Sequence, residues 1–362
     1  MEAFSRQPEI HVAVVGVGRM GRHHVRTYRR LPDVRLVAVV DRDRERAEEV
    51  ADEYGCHAYT DIDQLLTSHP QLGAVTVAVP TVMHAAVAEP LLQRRIACLV
   101  EKPLAGTQKQ AKALAKKAAR AGAMLQVGHT ERFNPAVQAV AAMGLTPRFI
   151  EVHRVSPMTF RSLDVGVVMD MMIHDLDIVL MLAKSRLKRV DATGVAVLGE
   201  HEDIANARLV FASGCVATIT ASRLAFKTER RMRLFNEDAY VNLDYQRRTG
   251  LVVRKSDNAE ALDEVRHQIA EGADLSDLDY SQLVNVEELD MNHRHGDASD
   301  DPLTAELTSF LAAVRNEQPP EVDGQAGYAA VQAAERVIDA IQGHRWEGLA
   351  KKAPLQSALS GD

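Results

Sequence analysis

Lys102, Asp170 and His174 carry side chains able to move a proton. Lys102 lies in Glu101-Lys102-Pro103, directly after the apolar run Ala97–Val100. In an open α/β sheet the ligand crevice lies outside the carboxyl ends of the strands, so a lysine there points towards a bound ligand. Beside a positively charged ring its pKa should fall, which suits it to hydrogen bonding or proton transfer. The alternative is an ordinary solvated lysine. Asp170, His174 and Asp177 fall at i, i+4 and i+7 in VMDMMIHDLDIVLML, on one face of a helix expected over Asp170–Ala183. An acid one turn before a histidine can orient the imidazole and stabilise its cation. Such a pair can accept a hydroxyl proton while hydride leaves for a cofactor. The alternative is a helix cap or a buried ion pair around a core histidine. HDLD supplies no third ligand, so no metal site is expected.

These side chains need a frame, and residues 11–41 supply one: HVAVVGVGRMGRHHVRTYRRLPDVRLVAVVD. The apolar run His11–Val15 leads into Gly16-Val17-Gly18-Arg19-Met20-Gly21; a segment with helical spacing follows, then a second apolar run, Val34–Val40. Gly16 permits a tight turn, Gly18 lets the backbone approach a pyrophosphate, and Gly21 lets helix and strand pack closely. The helix N-terminus offers unpaired N–H groups to the phosphates. Asp41 stands twenty residues past Gly21, where a carboxylate can accept from ribose hydroxyls. Dinucleotide binding is the reading. An acid at that position favours NAD over NADP, although Arg42 beside it can meet a 2′-phosphate. The expected cofactor contacts are Gly16, Gly18, Arg19, Met20, Gly21, Asp41 and Arg42, then Pro80, Thr81 and His84, then Glu101 and Lys102. His23 and His24 follow the turn, where one can approach phosphate but both more ordinarily lie on a helix surface.

The rest of the first third alternates helix and strand. Helices are expected at Asp43–Tyr54, Asp61–Thr67, Thr81–Arg94 (kinked or broken at Pro90) and Thr107–Ala121, with Gly122 as a stop. Strands are expected at Ala74–Val79, Ala97–Val100 and Leu125–Val127. This predicts a doubly wound parallel sheet. Near Gly128 the character changes. Asn134–Met143 reads as helix and Phe149–Val155 as strand. From Arg189 to Lys255 successive β segments predict a mostly antiparallel sheet, with Ser213-Gly214 as a hairpin turn. Residues 256–300 read as polar loop with some helix. Leu303, Leu307, Phe310, Leu311 and Val314 recur at helical spacing, and Tyr328–Ile341 reads as a final amphipathic helix. The expected domains are 1–127, a dinucleotide-binding unit, and 128–348, a substrate and assembly unit, with 349–362 a loose tail. At their junction, GHTERFNP places Glu131, Arg132 and Asn134 near an interdomain crevice. Arg132 there can engage phosphate or carboxylate, or simply bridge the domains. Arg161 and Asp164, before the Asp170 helix, can face substrate or stabilise their loop.

Composition excludes several classes. The chain has 362 residues, too many for one common core. A net charge of −7 gives no broad attraction to nucleic acid. Cys56, Cys98 and Cys215 are odd in number and far apart, forming neither a disulfide framework nor a CxxC. With no apolar h-region in MEAFSRQPEIH and no membrane-length apolar run, a cytoplasmic location is expected, with neither nucleic acid nor membrane as partner.

The ordered set GVGRMG, Asp41, VPTVMH, EKP, GHTERFNP and MDMMIHDLD resembles the Gfo/Idh/MocA family, and the closing stretch DPLTAELTSF…AERVIDAI is similar to that family's ending. The resemblance covers nearly the whole chain outside 256–300. It implies an N-terminal Rossmann domain and a C-terminal α+β domain with a large, mostly antiparallel sheet, one face of which mediates a homodimer or homotetramer. It implies NAD-dependent oxidation of a secondary sugar or polyol hydroxyl by Lys102, Asp170 and His174. In that scheme His174, oriented by Asp170, takes the proton and Lys102 steadies the oxygen; family members differ over which of lysine and histidine is the base. Within the family, VGHTERFNPAV and DVGVVMDMMIHDLDIV are most similar to nucleotide-sugar 3-dehydrogenases. That implies UDP-N-acetylglucosamine as substrate, oxidised at C3 in lipid A biosynthesis, with Arg132, Asn134, Arg161, Asp164 and His174 as substrate contacts and the first three as candidates for diphosphate or cofactor phosphate. A dehydrogenase of inositol or a free sugar is the alternative. A non-catalytic NAD-binding sensor is the alternative of another class, but it would not need Lys102, Asp170 and His174 together.

Overall fold

The computed structural model describes residues 9–159, 165–256, 259–272, 283–289 and 301–345. The first domain holds β1 (Ile10–Val15), α1 (Arg19–Tyr28), β2 (Val34–Val40), α2 (Arg44–Tyr54), β3 (His57–Tyr59), α3 (Ile62–Ser68), β4 (Ala74–Val77), α4 (His84–Gln93), β5 (Ala97–Glu101), α5 (Gln108–Ala121) and β6 (Leu125–Gly128). The six strands run parallel in the order β3-β2-β1-β4-β5-β6. Strand order reverses between β1 and β4, and that switch point opens a crevice at the strands' carboxyl ends. The strands are apolar because both faces are covered: Val12 to Val15 are at most 4% exposed. Their burial stabilises the sheet by roughly 1.5–3 kcal/mol per side chain.

Capping residues mark the helix boundaries. The Asp43 side chain accepts from the Arg46 N–H, and Gly55 closes α2 at φ +67°. Thr107 and Gly122 do the same for α5. α4 runs unbroken through Pro90, preceded by a 3-10 turn at Thr81–Met83. Pro90 withholds one backbone N–H from α4 without ending the helix.

The second domain holds α6 (Pro135–Ala142), β7 (Phe149–Val155), α7 (Ile173–Ala183), β8 (Leu187–Val195), β9 (Ile204–Phe211), β10 (Val216–Ser222), β11 (Glu229–Phe235), β12 (Ala239–Asp244), β13 (Thr249–Lys255), α8 (Ala259–Ala270) and β14 (Val284–Glu288). Its eight-stranded sheet has the order β14-β13-β12-β11-β7-β10-β9-β8. Every pairing is antiparallel except β7 with β10. Burial alternates along β7, β9 and β12, so one face packs inward and the other stays open. β14 falls within 256–300, where only loop and helix were expected; VNVEE is too polar to read as a strand, and pairing with β13 orders it.

Two closing helices join the domains. α9 (Pro302–Asn316) lays Leu307, Phe310 and Leu311 against Val12, Val14 and Leu99 of the first sheet. α10 (Gly324–Gly343) packs on α5, α7 and β8 and starts four residues earlier than expected, on an Asp323 cap. The first domain is therefore not closed at residue 127; the chain returns to it. The tail 349–362 lies outside the described residues. Among the described residues no helix is long and apolar enough to cross a membrane.

Candidate active site

The crevice at the switch point continues under the second sheet as one cleft of about 1080 Å³. The glycine loop forms one end. Gly16 sits at φ +87°, and a Cβ there would stand 2.7 Å from the Ala78 carbonyl oxygen. A Cβ on Gly21 would stand 1.8 Å from the Gly16 carbonyl oxygen, so only glycine fits. Gly18 faces open space, and α1 begins there without a side-chain cap. These are the features a pyrophosphate needs: backbone open to approach and first-turn N–H groups left unpaired. Asp41 secures the loop. Its Oδ2 accepts from the Val17 N–H at 2.9 Å and its Oδ1 from the Asp43 N–H at 3.0 Å. Lone pairs remain on the carboxylate for a ribose. Arg42 lies exposed at the same strand end, 4.0 Å from the Met83 sulfur. Arg19, Met20, Pro80, Thr81 and His84 all line the cleft. The loop therefore fits a dinucleotide.

His84 is more structural than expected. Its Nδ1 and Nε2 lie 3.0 and 2.9 Å from the carbonyls of Pro103 and Val79. It ties the ends of β4 and β5 together. Glu101 is also partly diverted: its Oε1 meets His24 Nε2 at 2.7 Å, and its Oε2 accepts from the Lys102 N–H. Burial pushes this carboxyl up, but His24 and Lys102 hold it below the ordinary range. His24 is thus fully buried rather than on a helix surface.

Lys102 stands 18% exposed at the end of β5. Its Nζ donates to the Asp170 carbonyl at 2.7 Å and lies 3.7 Å from Asp170 Oδ1. Burial lowers its pKa, with Asp170 and Glu101 pulling the other way. Asp170 does not orient His174, contrary to the expected pairing. Val168–Met172 forms a single π-helical turn, so the i, i+4 alignment of an α-helix is lost. The acids of HDLD separate to distinct partners. Asp175 takes Arg154 in a bidentate pair at 2.6 and 3.0 Å, and Asp177 takes Arg132 at 2.6 and 2.7 Å. His174 lines the cleft, and its buried Nδ1 has no partner among the described residues. Burial, then the charges of Lys102 and Arg154, push its pKa well below 6.5, so the ring is neutral.

Arg132 is consequently unavailable for phosphate: it is 8% exposed and committed to Asp177. Asn134 caps α6 and donates to Glu131 and the Tyr245 carbonyl, leaving it in the cleft wall with its polar atoms engaged. Arg161 and Asp164 lie outside the described residues. The cationic residues not foreseen as cleft-lining are Arg154, Arg223, Arg230 and Arg248. A signal existed for two of them. In IEVHRV and RRMRLF, Arg154 and Arg230 alternate in phase with Ile150, Val152, Met232 and Leu234, on the inward face.

Where α9 meets β6 and the turn that follows it lies a second group of polar side chains. Gln126, His129 and Glu306 are at most 1% exposed, and each keeps a polar atom without a partner among the described residues. Glu306 Oε2 accepts from Thr130 Oγ1 at 2.9 Å. Burial, then nearby Glu101, raises the Glu306 pKa well above 4.5. The folded chain then holds a proton that the unfolded chain releases, so stability falls as pH rises from about 4.5 towards the folded pKa. Glu306→Gln mimics the neutral acid and should remove that slope. Calorimetry should show a raised Tm at pH 8 and a gain that shrinks towards pH 4.5. An unchanged or lowered Tm at pH 8 would mean that Glu306 is ionised and paired.

A parallel sheet with its switch point over a glycine cradle, a lysine at the end of β5 and a histidine at the start of α7 facing the same cleft define a dinucleotide-dependent oxidoreductase. Comparison with known proteins agrees. Residues 10–129 match the NAD-binding Rossmann-fold domain of the Gfo/Idh/MocA oxidoreductases, and residues 141–242 match that family's C-terminal domain. The UDP-N-acetylglucosamine 3-dehydrogenase of Acidithiobacillus ferrooxidans is 35% identical over 334 residues, 92% of this chain and 97% of that protein. Its crystal structure superposes with a TM-score of 0.79, covering 92% of this chain and 98% of that one. The inositol 2-dehydrogenase of Rhizobium meliloti is 28% identical over 265 residues, 68% of this chain and 79% of that protein. The chain belongs to the Gfo/Idh/MocA family and is an NAD(P)-dependent dehydrogenase acting on CH–OH groups.

Proposed function

We propose that this chain oxidises the C3 hydroxyl of UDP-N-acetylglucosamine to the 3-keto nucleotide sugar, using NAD. Similarity along nearly the full length of both chains to a 3-dehydrogenase of that substrate carries the reading. The Asp41 carboxylate at the end of β2 favours NAD, since it would repel a 2′-phosphate. A bound nicotinamide supplies the hydride acceptor.

The chain's own residues do the rest. Neutral His174 accepts the hydroxyl proton on a ring nitrogen as the C–H bond breaks. Lys102, steadied by the Asp170 carbonyl, donates a hydrogen bond to the same oxygen and stabilises its developing negative charge. Asp170 positions Lys102 rather than His174. Lys102, 18% exposed at the end of β5, and His174, part-buried at the start of α7, are both largely shielded from water, a setting in which each hydrogen bond is stronger. Assembly as a homodimer or homotetramer would use the open face of the second sheet.

A screen by NADH absorbance tests the assignment. UDP-N-acetylglucosamine should be turned over with NAD faster than with NADP. The 3-deoxy analogue, myo-inositol and glucose should give no more than background. Oxidation at C4 or C6 would overturn the C3 assignment, and faster turnover of inositol would replace the proposal with the second dehydrogenase reading, which the inositol 2-dehydrogenase match supports over a smaller share of the chain.

A further inference from the structure

The cleft carries more cationic side chains than the chemistry of a hydroxyl needs, and their hydrogen bonds sort them. Arg154 spends its fork on Asp175 and a third donor on Glu131. Arg223 is held by Asp203 and the Val165 carbonyl. Lys102 belongs to the reacting end, and Arg19 stands at the cofactor loop.

Arg230 and Arg248 differ. Arg230 lies directly opposite Arg154 across the β7–β11 ladder. Like charges so placed are destabilising unless an anion separates them. One oxygen, Glu131 Oε1, serves both, at 3.1 Å from Arg154 and 3.2 Å from Arg230. That is the single donor Arg230 uses among the described residues, out of five it possesses. Its side chain is 45% exposed in the cleft. Burial, and then Arg154 beside it, lower its pKa, the mark of a cation short of counter-charge. Arg248, at φ +54° in the β12–β13 turn, has no hydrogen-bond or ion-pair partner among the described residues. The Tyr245 N–H donates to the Arg230 carbonyl at 2.9 Å, which ties Arg230 to the start of the turn that carries Arg248.

We propose that Arg230 and Arg248 bind the diphosphate of the substrate, a second anion site on the second domain's wall of the cleft. This rests on the nucleotide-sugar reading above. Two forks with unspent donors suit the paired phosphates, where each N–H to O⁻ bond is charge-assisted. The site would hold the sugar at the Lys102 and His174 end by its distant, unreacting part, and so select nucleotide sugars over free ones.

The test uses Arg230→Gln, Arg248→Gln and the double variant, with NAD affinity as the check on folding. Each single change should raise KM for UDP-N-acetylglucosamine about tenfold and the double about 100-fold. Calorimetric binding of UDP and of inorganic pyrophosphate to the NAD-loaded protein should weaken in step, and Arg230→Lys should restore part of it. In the wild type, pyrophosphate should compete with UDP-N-acetylglucosamine and not with NAD. UDP binding unchanged in the double variant overturns the proposal. So does a loss of NAD affinity with UDP binding intact, which assigns these arginines to the cofactor's phosphates. Oxidation of UDP-N-acetylglucosamine with an unmoved KM sinks the subsite and leaves the reaction standing. UDP binding lost in the double variant, in a protein that oxidises some other sugar nucleotide, upholds the subsite and corrects the sugar.

Discussion

Lys102→Ala is expected to lower kcat by about 10²–10⁴-fold, the range over which a positioned proton donor or oxyanion partner acts. The side chain ends within 2.7 Å of the Asp170 carbonyl and lines the cleft beside His174, so its charge is aimed at the place where an alkoxide would form. Its removal leaves no buried charge without a partner, because Asp170 is 36% exposed and can be rehydrated. The fold should survive. NAD affinity should survive too, since the glycine loop and Asp41 make no bond to the Lys102 side chain. Steady-state turnover and calorimetric NADH titration separate these effects. Turnover within tenfold of the wild type would remove Lys102 from the chemistry. Joint loss of turnover and NADH binding would make it a structural residue.

The same lysine shows how far the sequence could be read. Its place at a strand end followed from a short apolar run and a proline, and the glycine loop with its acid followed from spacing alone. Those signals are local, and local geometry suffices for them. Which acid serves which base was not local. Asp170 and His174 look paired at i, i+4, yet one π-turn re-aims Asp170 towards Lys102 from another domain. Arg132 looks available in GHTERFNP and is consumed by Asp177, forty-five residues on. Arg154 and Arg230 stand opposite each other only because β11 pairs with β7, a register absent from either strand's own pattern. Glu306 was in plain view, three residues after Leu303 on the apolar face of α9; a carboxyl at such a position signals a buried acid.

His174→Asn is the second change expected to cost about 10²–10⁴-fold in kcat/KM near neutral pH, because an amide cannot take the proton that the imidazole takes. The pH profile distinguishes this from a packing defect. In the free enzyme, burial together with Lys102 and Arg154 disfavours the imidazolium, so the wild-type acid limb of kcat/KM should lie below pH 6.5. Protonation there removes the base, and activity falls as pH drops through that value. The alkaline limb should lie below 10.5, where Lys102 loses the proton it needs as a donor. His174→Asn should erase the acid limb and keep the alkaline one. Lys102→Ala should erase the alkaline limb and, by removing one neighbouring cation, move the residual acid limb up towards 6.5. The double variant should be little slower than either single one, as for groups that act on one oxygen as a unit. A His174→Asn enzyme that keeps its acid limb and loses less than tenfold would transfer the base to Lys102. The alkoxide would then be stabilised by the imidazole N–H instead, and the low pKa of His174 would serve to keep that donor neutral.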